Sequence, residues 1–218
     1  MSLTRIFLGL GSNIERETHL HAGLDALYSF LSELSCSPVF ESHPVGIKSG
    51  PFFNLVVSAL TDLPLMELDR RLKFIEADNG RYAPDRKGLP LDIDVLLYGE
   101  QVGNFDGLIL PRAEILKNAF VLWPLSLIAP DRLHPGVGMP FSTLWADAQI
   151  DQQLWPVAFE WKGQALTPAE LLKGLWSCPR SAFGVIHKSA STVIVPIAPR
   201  GHASRDAPRH KWHRLRTQ

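Results

Sequence analysis

The stretch from Leu89 to Gly99, LPLDIDVLLYG, constrains the fold of this chain more than any other. Apolar and acidic residues alternate in it, as in a β-strand whose side chains point by turns to its two faces. The acidic face carries Asp92 and Asp94, about 7 Å apart at the usual rise of a strand. The apolar face belongs in a core and carries Leu91, Ile93, Val95 and Leu97. The pattern predicts a strand that is buried on one side and acidic on the other.

The two neighbouring carboxylates have two interpretations. Like charges held this close on a rigid strand repel each other, which favours a cation between them. Asp92 and Asp94 would then form a metal site, provided that both face a cleft with room for an ion and are not locked to arginines. Alternatively, they are solvent-facing side chains of a half-exposed strand. The D-x-D spacing alone is too short a pattern to choose between these readings.

Size and charge describe a globular chain with an uneven charge distribution. Its 218 residues, 45% hydrophobic and 20% charged, suit one large domain or one domain with an appendage. From Lys188 onward seven Lys or Arg residues stand against Asp206 alone, a balance of +6. Because the formal net charge of the whole chain is zero, residues 1–187 carry −6. An acidic body does not favour a nucleic-acid-binding core.

Cellular location is suggested by what the sequence lacks. Cys36 and Cys178 are far apart and match no metal-binding spacing, so we interpret them as thiols in a reducing compartment. The N-terminus, MSLTRIFLGLGSN, has one basic residue and only a brief apolar run, which does not predict a signal peptide. No apolar run reaches the roughly 18 residues of a membrane span. We expect a cytoplasmic monomer that binds neither membranes nor nucleic acid.

Apolar periodicity predicts interleaved strands and helices before residue 150. The first strand stops at the turn Gly11-Ser12-Asn13, and leucines spaced by three and four continue the first helix to Leu34. The predicted strands are 4–10, 39–42, 55–60 and 91–97, and the predicted helices are 18–34, 64–79, 120–129 and 141–148. We expect helices packed on one side of the strands, in an α+β sandwich.

The character of the chain changes past Ile150. The segment 155–166 predicts a hairpin with Gly163 in its turn, and Thr167-Pro168 predicts a helix start. From Ala198 onward periodic apolar residues are lacking, which predicts disorder. This basic tail is either simply solvated or contacts phosphate-rich partners such as RNA. The predicted division is a domain at 1–150, an extension at 151–197 and a basic tail at 198–218.

A Gly/Pro-rich loop precedes two phenylalanines and an amide. The loop HPVGIKSGP, residues 43–51, runs into Phe52-Phe53-Asn54. Two rings and an amide beside such a loop could line a pocket for a flat heterocycle. The alternative is that the phenylalanines belong to the core and Asn54 caps a strand end.

A basic loop leads directly into the acidic strand. Residues 81–88, RYAPDRKG, contain Arg81, Arg86 and Lys87. Basic groups beside paired carboxylates are typical of phosphate chemistry with Mg²⁺, because the metal lies between carboxylates and phosphate oxygens while arginines neutralise the transferred charge. A surface loop with scattered charges is the alternative.

Taken in order, these segments resemble one family. The GSN turn, the FFN triplet, the basic loop before LPLDIDVLLYG, and LPR…AFVLWPLSLIAPD resemble hydroxymethyldihydropterin pyrophosphokinase of the folate pathway, over about residues 3–131. The resemblance implies a ferredoxin-like α+β sandwich with a four-stranded antiparallel sheet. It also implies the transfer of diphosphate from ATP to the hydroxymethyl group of 6-hydroxymethyl-7,8-dihydropterin, giving AMP, with two Mg²⁺ ions.

The resemblance implies roles for individual positions. Asp92 and Asp94 would bind both metal ions and, with Arg81 and Arg86, form the catalytic set. Asn54 would hydrogen-bond the pterin edge. The implied pterin-binding residues are His43, Pro44, Val45, Gly46, Phe52, Asn54 and Phe120, the last stacking on the ring. The implied ATP-binding residues are Glu76, Lys87, Val95 (toward the adenine) and Arg112.

The basic loop departs from the family pattern R-W-G-P-R-T-L-D-L-D. Here Arg86 stands at the tryptophan position and Leu89 at the second arginine position, and the loop is shorter. Arg112 follows a proline where the family commonly has histidine. Arg86 or Lys87 could compensate by reaching in from the shorter loop, and Arg112 offers a permanent charge. The alternative function is a catalytically weakened or non-catalytic pterin- or nucleotide-binding homologue.

Overall fold

Strands and helices alternate in the computed structural model, which describes residues 3–46 and 48–174. Their bounds are β1 (Thr4–Ser12), α1 (Arg16–Phe30), β2 (Ser32–Cys36), β3 (Val39–Ser42), β4 (Phe52–Thr61), α2 (Leu65–Asp78), β5 (Asp92–Tyr98), β6 (Gly103–Phe105), β7 (Leu108–Leu110), α3 (Glu114–Lys117), α4 (Ala119–Ile128), α5 (Phe141–Ala146), β8 (Leu154–Val157), β9 (Glu160–Trp161), β10 (Gln164–Ala165) and α6 (Ala169–Lys173). No helix in these ranges is long and apolar enough to cross a bilayer.

The main sheet confirms the ferredoxin-like α+β fold and is larger than expected. Its order is β5-β1-β4-β3-β8, β2 pairs with β4 as well, and the pairs are antiparallel. The described residues thus form six strands in this sheet instead of the expected four. Ser37 separates β2 from β3 along β4, because its hydroxyl accepts the Val56 N–H at 2.9 Å. The other added strand, β8, comes from beyond residue 150.

Helices cover both faces of this sheet, so the expectation of helices on one side is wrong. On the first face α1 and α2 bury their apolar stripes against the sheet, with Leu24, Leu27, Leu68 and Leu72 fully buried. On the second face lie α4 and α5. The sequence of α4, AFVLWPLSLI, is apolar nearly all round, so it must be surrounded by other elements. It therefore covers the second face.

A bulge in β5 changes which residues face each core. Leu8 pairs with Val95 but Phe7 pairs with Leu97, so Leu96 is an extra residue. Val95 packs in the first core, whereas Leu96 and Leu97 pack in the second. The prediction that Leu97 shares the face of Val95 is therefore wrong.

Two element ends also differ from the sequence prediction. The first helix ends at Phe30 instead of continuing to Leu34, because the chain from Ser32 onward pairs with β4. Leu34 is still buried, as part of a strand. Strand β1 continues through Ser12 instead of turning at Gly11. This continuation places Gly11 between β4 and β5.

The described part of the extension packs on the body. The predicted hairpin is present as β9 and β10, with Lys162 and Gly163 in its turn at φ values of 50° and 74°. The buried Trp161 donates its indole N–H to Asp25 of α1 at 3.0 Å. The predicted helix start after Thr167 is present as α6. Residues 175–218, with Cys178 and the predicted disordered tail, lie outside the described residues.

Candidate active site

The two aspartates lie at the start of β5, on the same face of the sheet as predicted. Asp92 pairs with Gly11 of β1 and Asp94 pairs with Gly9. Because glycine has no side chain, β1 adds no bulk beside either carboxylate on this face. The side chains of Asp92 and Asp94 are 31% and 35% exposed. Both carboxylates are therefore within reach of a ligand from solvent.

Each aspartate is paired with an arginine. Nη2 of Arg81 lies 3.1 Å from Oδ1 of Asp92, and Nη2 of Arg112 donates to Oδ1 of Asp94 at 3.0 Å. Two predicted site arginines are thus brought to the two predicted metal ligands. Both pairs keep some contact with water, which screens their attraction in part. A ligand that arrives from solvent can therefore compete for either partner.

Both arginines keep an unused donor. Nη1 of Arg81 and Nε of Arg112 are buried and have no hydrogen-bond partner among the described residues. The nearest carboxylate to the latter, Glu114, is 3.6 Å away. A buried donor left unpaired costs about 1–3 kcal/mol. A ligand that brings acceptor oxygens to this site would satisfy both donors.

Glu76 has a positioning role, which corrects the prediction that it binds ATP. Its side chain is completely buried. It accepts hydrogen bonds from the Ile93 N–H at 2.7 Å, from Lys73 Nζ at 3.0 Å and from the Tyr82 hydroxyl at 2.8 Å. Ile93 is the residue between the two aspartates, so Glu76 holds the acidic strand against α2 and the loop that carries Arg81. It has no exposed atom to offer a nucleotide.

The electrostatics of the site favour an added cation. Burial, reinforced by the charge of Asp94, raises the pKa of Asp92 to about 6, and Arg81 opposes this only in part. For Lys73, burial lowers the pKa, but the hydrogen bond and charge of Glu76, with the charges of both aspartates, raise it overall. The carboxylate of Asp92 is therefore incompletely neutralised by the cations already present.

The structure does not bring the side chains of three predicted ATP-binding or catalytic residues, Val95, Arg86 and Lys87, to the aspartates. Val95 is 1% exposed and packs in the first core, so only its backbone could contact an adenine, and the predicted orientation needs this correction. Arg86 and Lys87 are exposed, and Arg86 donates to the Gly88 carbonyl at 3.0 Å. They remain on the loop beside the site.

The end of that loop is anchored to β1. The side-chain oxygen of Asn13 accepts the Leu89 N–H at 2.6 Å, and the Asn13 N–H donates to the Leu89 carbonyl at 3.0 Å. A Cβ at Gly88 would lie 2.7 Å from that side-chain oxygen, so glycine is required there. The close approach fixes where the loop enters the acidic strand.

The predicted pterin-binding residues lie on the strands next to the aspartates. Asn54, Gly11 and Asp92 form a row across β4, β1 and β5. Asn54 is 6% exposed and donates to the Ser42 hydroxyl at 2.9 Å. A Cβ at Gly11 would lie 3.5 Å from the Asn54 side-chain oxygen and 3.8 Å from the Phe52 ring. The amide and the ring therefore face the same small space beside Asp92.

The remaining predicted pterin residues lie at the edges of this face. The segment 43–46 follows β3 as an exposed loop, with Pro44 half-buried. Phe120 lies in the first turn of α4, partly buried against the cluster of Phe40 and Trp123. A cavity of about 370 Å³ lies beside this loop and is lined by Ser42, His43, Pro44, Val45, Asp151, Gln152 and Gln153. One wall of that cavity belongs to the extension.

Comparison with known proteins now identifies the family. Residues 7–130 match the family model of 7,8-dihydro-6-hydroxymethylpterin-pyrophosphokinase (HPPK). The chain belongs to the HPPK family. It is 38% identical over 145 residues to a 2-amino-4-hydroxy-6-hydroxymethyldihydropteridine pyrophosphokinase of Pseudomonas aeruginosa, a match that covers 63% of this chain and 89% of the relative.

Longer relatives match the chain only in part of their length. The chain is 30% identical over 205 residues to the folic acid synthesis protein fol1 of Pneumocystis carinii, covering 87% of this chain but 27% of the relative. A crystal structure of a Plasmodium falciparum HPPK-DHPS triple mutant superposes with a TM-score of 0.56 at 14% identity, covering 66% of this chain and 43% of that chain. At this identity the likeness shows the HPPK fold alone.

Four residues that hydrogen-bond the candidate site residues or the start of α4 were not predicted from the sequence: Ser42, Lys73, Tyr82 and Gln152. Lys73 stands three residues before Glu76 on α2, a spacing at which helical side chains meet, so it could have been found. Gln152 contacts α4 across 33 residues of sequence, and no local pattern indicates that contact.

Proposed function

We propose that this chain is an ATP-dependent pyrophosphokinase of folate synthesis that converts 6-hydroxymethyl-7,8-dihydropterin to its diphosphate and releases AMP. Membership of the HPPK family supports the reaction. The single observation that carries the proposal is the row of Asn54, Gly11 and Asp92, with an arginine on each aspartate. This row places the Asn54 amide, which can hydrogen-bond the edge of a heterocycle, beside the carboxylates and arginines, which can bind metal ions and phosphates.

In this reaction the hydroxymethyl oxygen bonds to the β-phosphorus of ATP. The bond from that phosphorus to the oxygen that bridges it to the α-phosphate breaks, AMP leaves with the electron pair, and the hydroxyl proton passes to water. Phosphoryl-type transfer asks for little covalent help from the protein. Alignment of the reactants and neutralisation of their charge therefore supply most of the rate enhancement.

We infer that Asp92 and Asp94 would hold two Mg²⁺ ions, which would supply positive charge to the ATP phosphates and lower the pKa of the pterin hydroxyl. Mg²⁺ at phosphate-transfer sites is commonly held by one or two carboxylates plus the substrate phosphates. The described residues hold no group of three or more His, Cys, Asp or Glu side chains that could bind an ion alone. The raised pKa of Asp92 supports a cation partner beyond Arg81.

The arginines would move from the aspartates to the phosphates. Arg81 and Arg112 each have a buried unpaired donor, and the ion pairs they now make are half-open to water. Phosphate oxygens are strong acceptors for a guanidinium, so the exchange replaces one charged partner by another. Arg86 and Lys87, exposed on the neighbouring loop, would add charge from outside.

The pterin would lie on the other side of Gly11. The buried Asn54 would bond the heterocycle edge through its side-chain oxygen, while Phe52 and Phe120 would cover its faces. The loop of residues 43–46 would supply backbone groups. Flat heterocycles are typically held in this way, by apolar rings and a few convergent polar groups.

The test is the formation of AMP from ATP by purified protein. We expect AMP only when Mg²⁺ and hydroxymethyldihydropterin are both present, and none with either omitted. Saturable pterin binding without AMP would instead establish the non-catalytic alternative, which is motivated by the substituted loop, with Arg86 and Leu89 at the tryptophan and second arginine positions of the family. The expectation of a cytoplasmic monomer without nucleic-acid partners stays a prediction.

A further inference from the structure

We propose that Gln152, outside the HPPK family match, is a positioning residue that sets the width of the pterin-binding side of the site. The inference rests on the proposed function, because that function makes Phe120 one cover of the pterin ring and the loop of residues 43–46 a source of backbone groups beside it. Gln152 lies in the connection between α5 and β8, beyond residue 130 where the family match ends.

Gln152 caps the helix that carries Phe120. Its side-chain oxygen accepts the Ala119 N–H at 2.8 Å, and its side-chain nitrogen donates to Oδ1 of Asn118 at 3.1 Å. Ala119 is the first residue of α4, and the first N–H groups of a helix have no partner within it. The N-cap residue Asn118 makes no side-chain capping bond. The cap is therefore supplied from the extension.

The orientation of this amide follows from chemistry. A backbone N–H can only donate, so the oxygen of Gln152 must face Ala119, and its NH₂ group then faces Asn118. Ala119 is fully buried and packs in the cluster around Trp123, so its N–H has little contact with water beyond the glutamine. Loss of the amide would leave the first turn of α4 with a buried unpaired donor.

The same segment also touches the opposite wall. Asp151, Gln152 and Gln153 line the cavity whose other side is formed by residues 42–45. Two residues further on, Leu154 pairs with Ser42, and the Trp155 ring lies 5.1 Å from the His43 ring. One short segment is thus joined to the helix start on one side and to the loop on the other. Gln152 makes the hydrogen bonds to the helix start, and Leu154 and Trp155 make the contacts to the strand and loop on the other side.

A link of this kind acts on pterin affinity more than on ATP affinity, because the aspartates and arginines lie on β5 and its neighbours. The informative substitution is Gln152→Met, which keeps the length of the side chain and removes both hydrogen bonds. Gln152→Glu keeps an oxygen for the Ala119 N–H and places a negative charge at a helix start, which is favourable. The exposed Gln101→Met is the matched control.

The experiment measures pterin affinity by calorimetry in the presence of Mg²⁺ and a non-hydrolysable ATP analogue, together with both KM values and thermal unfolding. For Gln152→Met we expect the pterin Kd and KM to rise about tenfold, because both hydrogen bonds that fix the start of α4, and with it Phe120, are lost. The analogue Kd should change less than twofold. Gln152→Glu should stay within about threefold of the wild type, and Gln101→Met should match it.

Two results would overturn the inference. One is an unchanged pterin Kd in Gln152→Met. The other is an equal weakening of pterin and analogue together with a lowered Tm, which would show a purely structural role. A wild-type protein that binds the pterin but forms no AMP would remove the proposed catalysis, while the Kd comparison between variants would still decide the role of Gln152.

Discussion

The two halves of the site are held together by different forces. The acidic half consists of Asp92, Asp94, Arg81 and Arg112, and it is held by ion pairs that remain partly open to water. The amide half, centred on Asn54, is held by neutral hydrogen bonds between buried side chains. Only Gly11 separates the two halves along the sheet.

The difference indicates how each half meets its substrate. Partly exposed ion pairs are screened in part by water, so in the proposed site the acidic half would give its arginines to the phosphates when ATP binds. Buried neutral hydrogen bonds are costly to leave unmade, so the amide half keeps its arrangement whether or not a pterin is present. The acidic half should therefore be sensitive to charge and pH, and the amide half to shape.

The largest expected effect is that of Asp92→Ala. In the proposed site Asp92 would hold the metal with Asp94, so its removal should lower kcat by about 10³-fold, because metal stabilisation of the transferred charge contributes several kcal/mol. Steady-state AMP formation at saturating substrates measures it, with the exposed Asp147→Ala as control. A loss below tenfold would show that this strand face is not where the phosphates bind.

A smaller loss is expected for Arg81→Ala. Loss of a charged donor to the transition state typically costs about 10²-fold in kcat. The neighbouring Arg86→Ala is the comparison, and its exposed side chain should cost less than tenfold. A larger loss of kcat for Arg86→Ala than for Arg81→Ala would mean that the loop closes over ATP. Arg81 would then serve only to pair with Asp92. Single-turnover rates separate this effect from substrate binding.

In the amide half, Asn54→Ala should raise the pterin KM about tenfold with little change in the KM of ATP. The cost corresponds to the loss of one hydrogen bond of about 1–1.5 kcal/mol to the heterocycle. Ser42→Ala, which removes the hydroxyl that accepts from Asn54, should give a smaller shift of the same kind. Equal shifts in both KM values would show that the two halves are not independent.

A change of pH should have an effect no larger than that of Asn54→Ala, and it should be confined to the acidic half. Because the pKa of Asp92 is raised from 3.8 to about 6, its protonated form stabilises the fold at low pH, and this contribution is lost as the pH rises through about 6. Metal binding needs the ionised form, so Mg²⁺-nucleotide affinity should fall about tenfold from pH 7 to pH 5.

Calorimetry across this pH range measures the change, and proton uptake on release of Mg²⁺-nucleotide provides a second readout. The pterin Kd should change less than the Mg²⁺-nucleotide Kd over the same interval, because Asn54 and Ser42, which face the heterocycle edge, do not titrate. A parallel decline of both affinities would contradict the separation of the two halves.

The alternation in LPLDIDVLLYG was enough to predict the shared face of Asp92 and Asp94, because strand geometry places every second side chain together. It was not enough for Leu97, since the bulge at Leu96 depends on how β5 aligns with β1. The resemblance to the family indicated that Arg81 and Arg112 belong to the same site as the aspartates. It could not indicate that Glu76 is buried, because burial depends on Lys73 and the loop closing over it.

The outermost strand of the sheet has a practical consequence for anyone who shortens this protein. Truncation at residue 150 would remove β8 and expose the backbone hydrogen-bonding groups of β3, just before the loop of residues 43–46. An unpaired edge strand of this kind can pair with strands of other molecules. Pro156, opposite Phe40, cannot donate a backbone hydrogen bond, which makes β8 a poor template for further growth. The truncated protein would also lose the protection that Pro156 gives to the sheet edge, and we would expect it to aggregate.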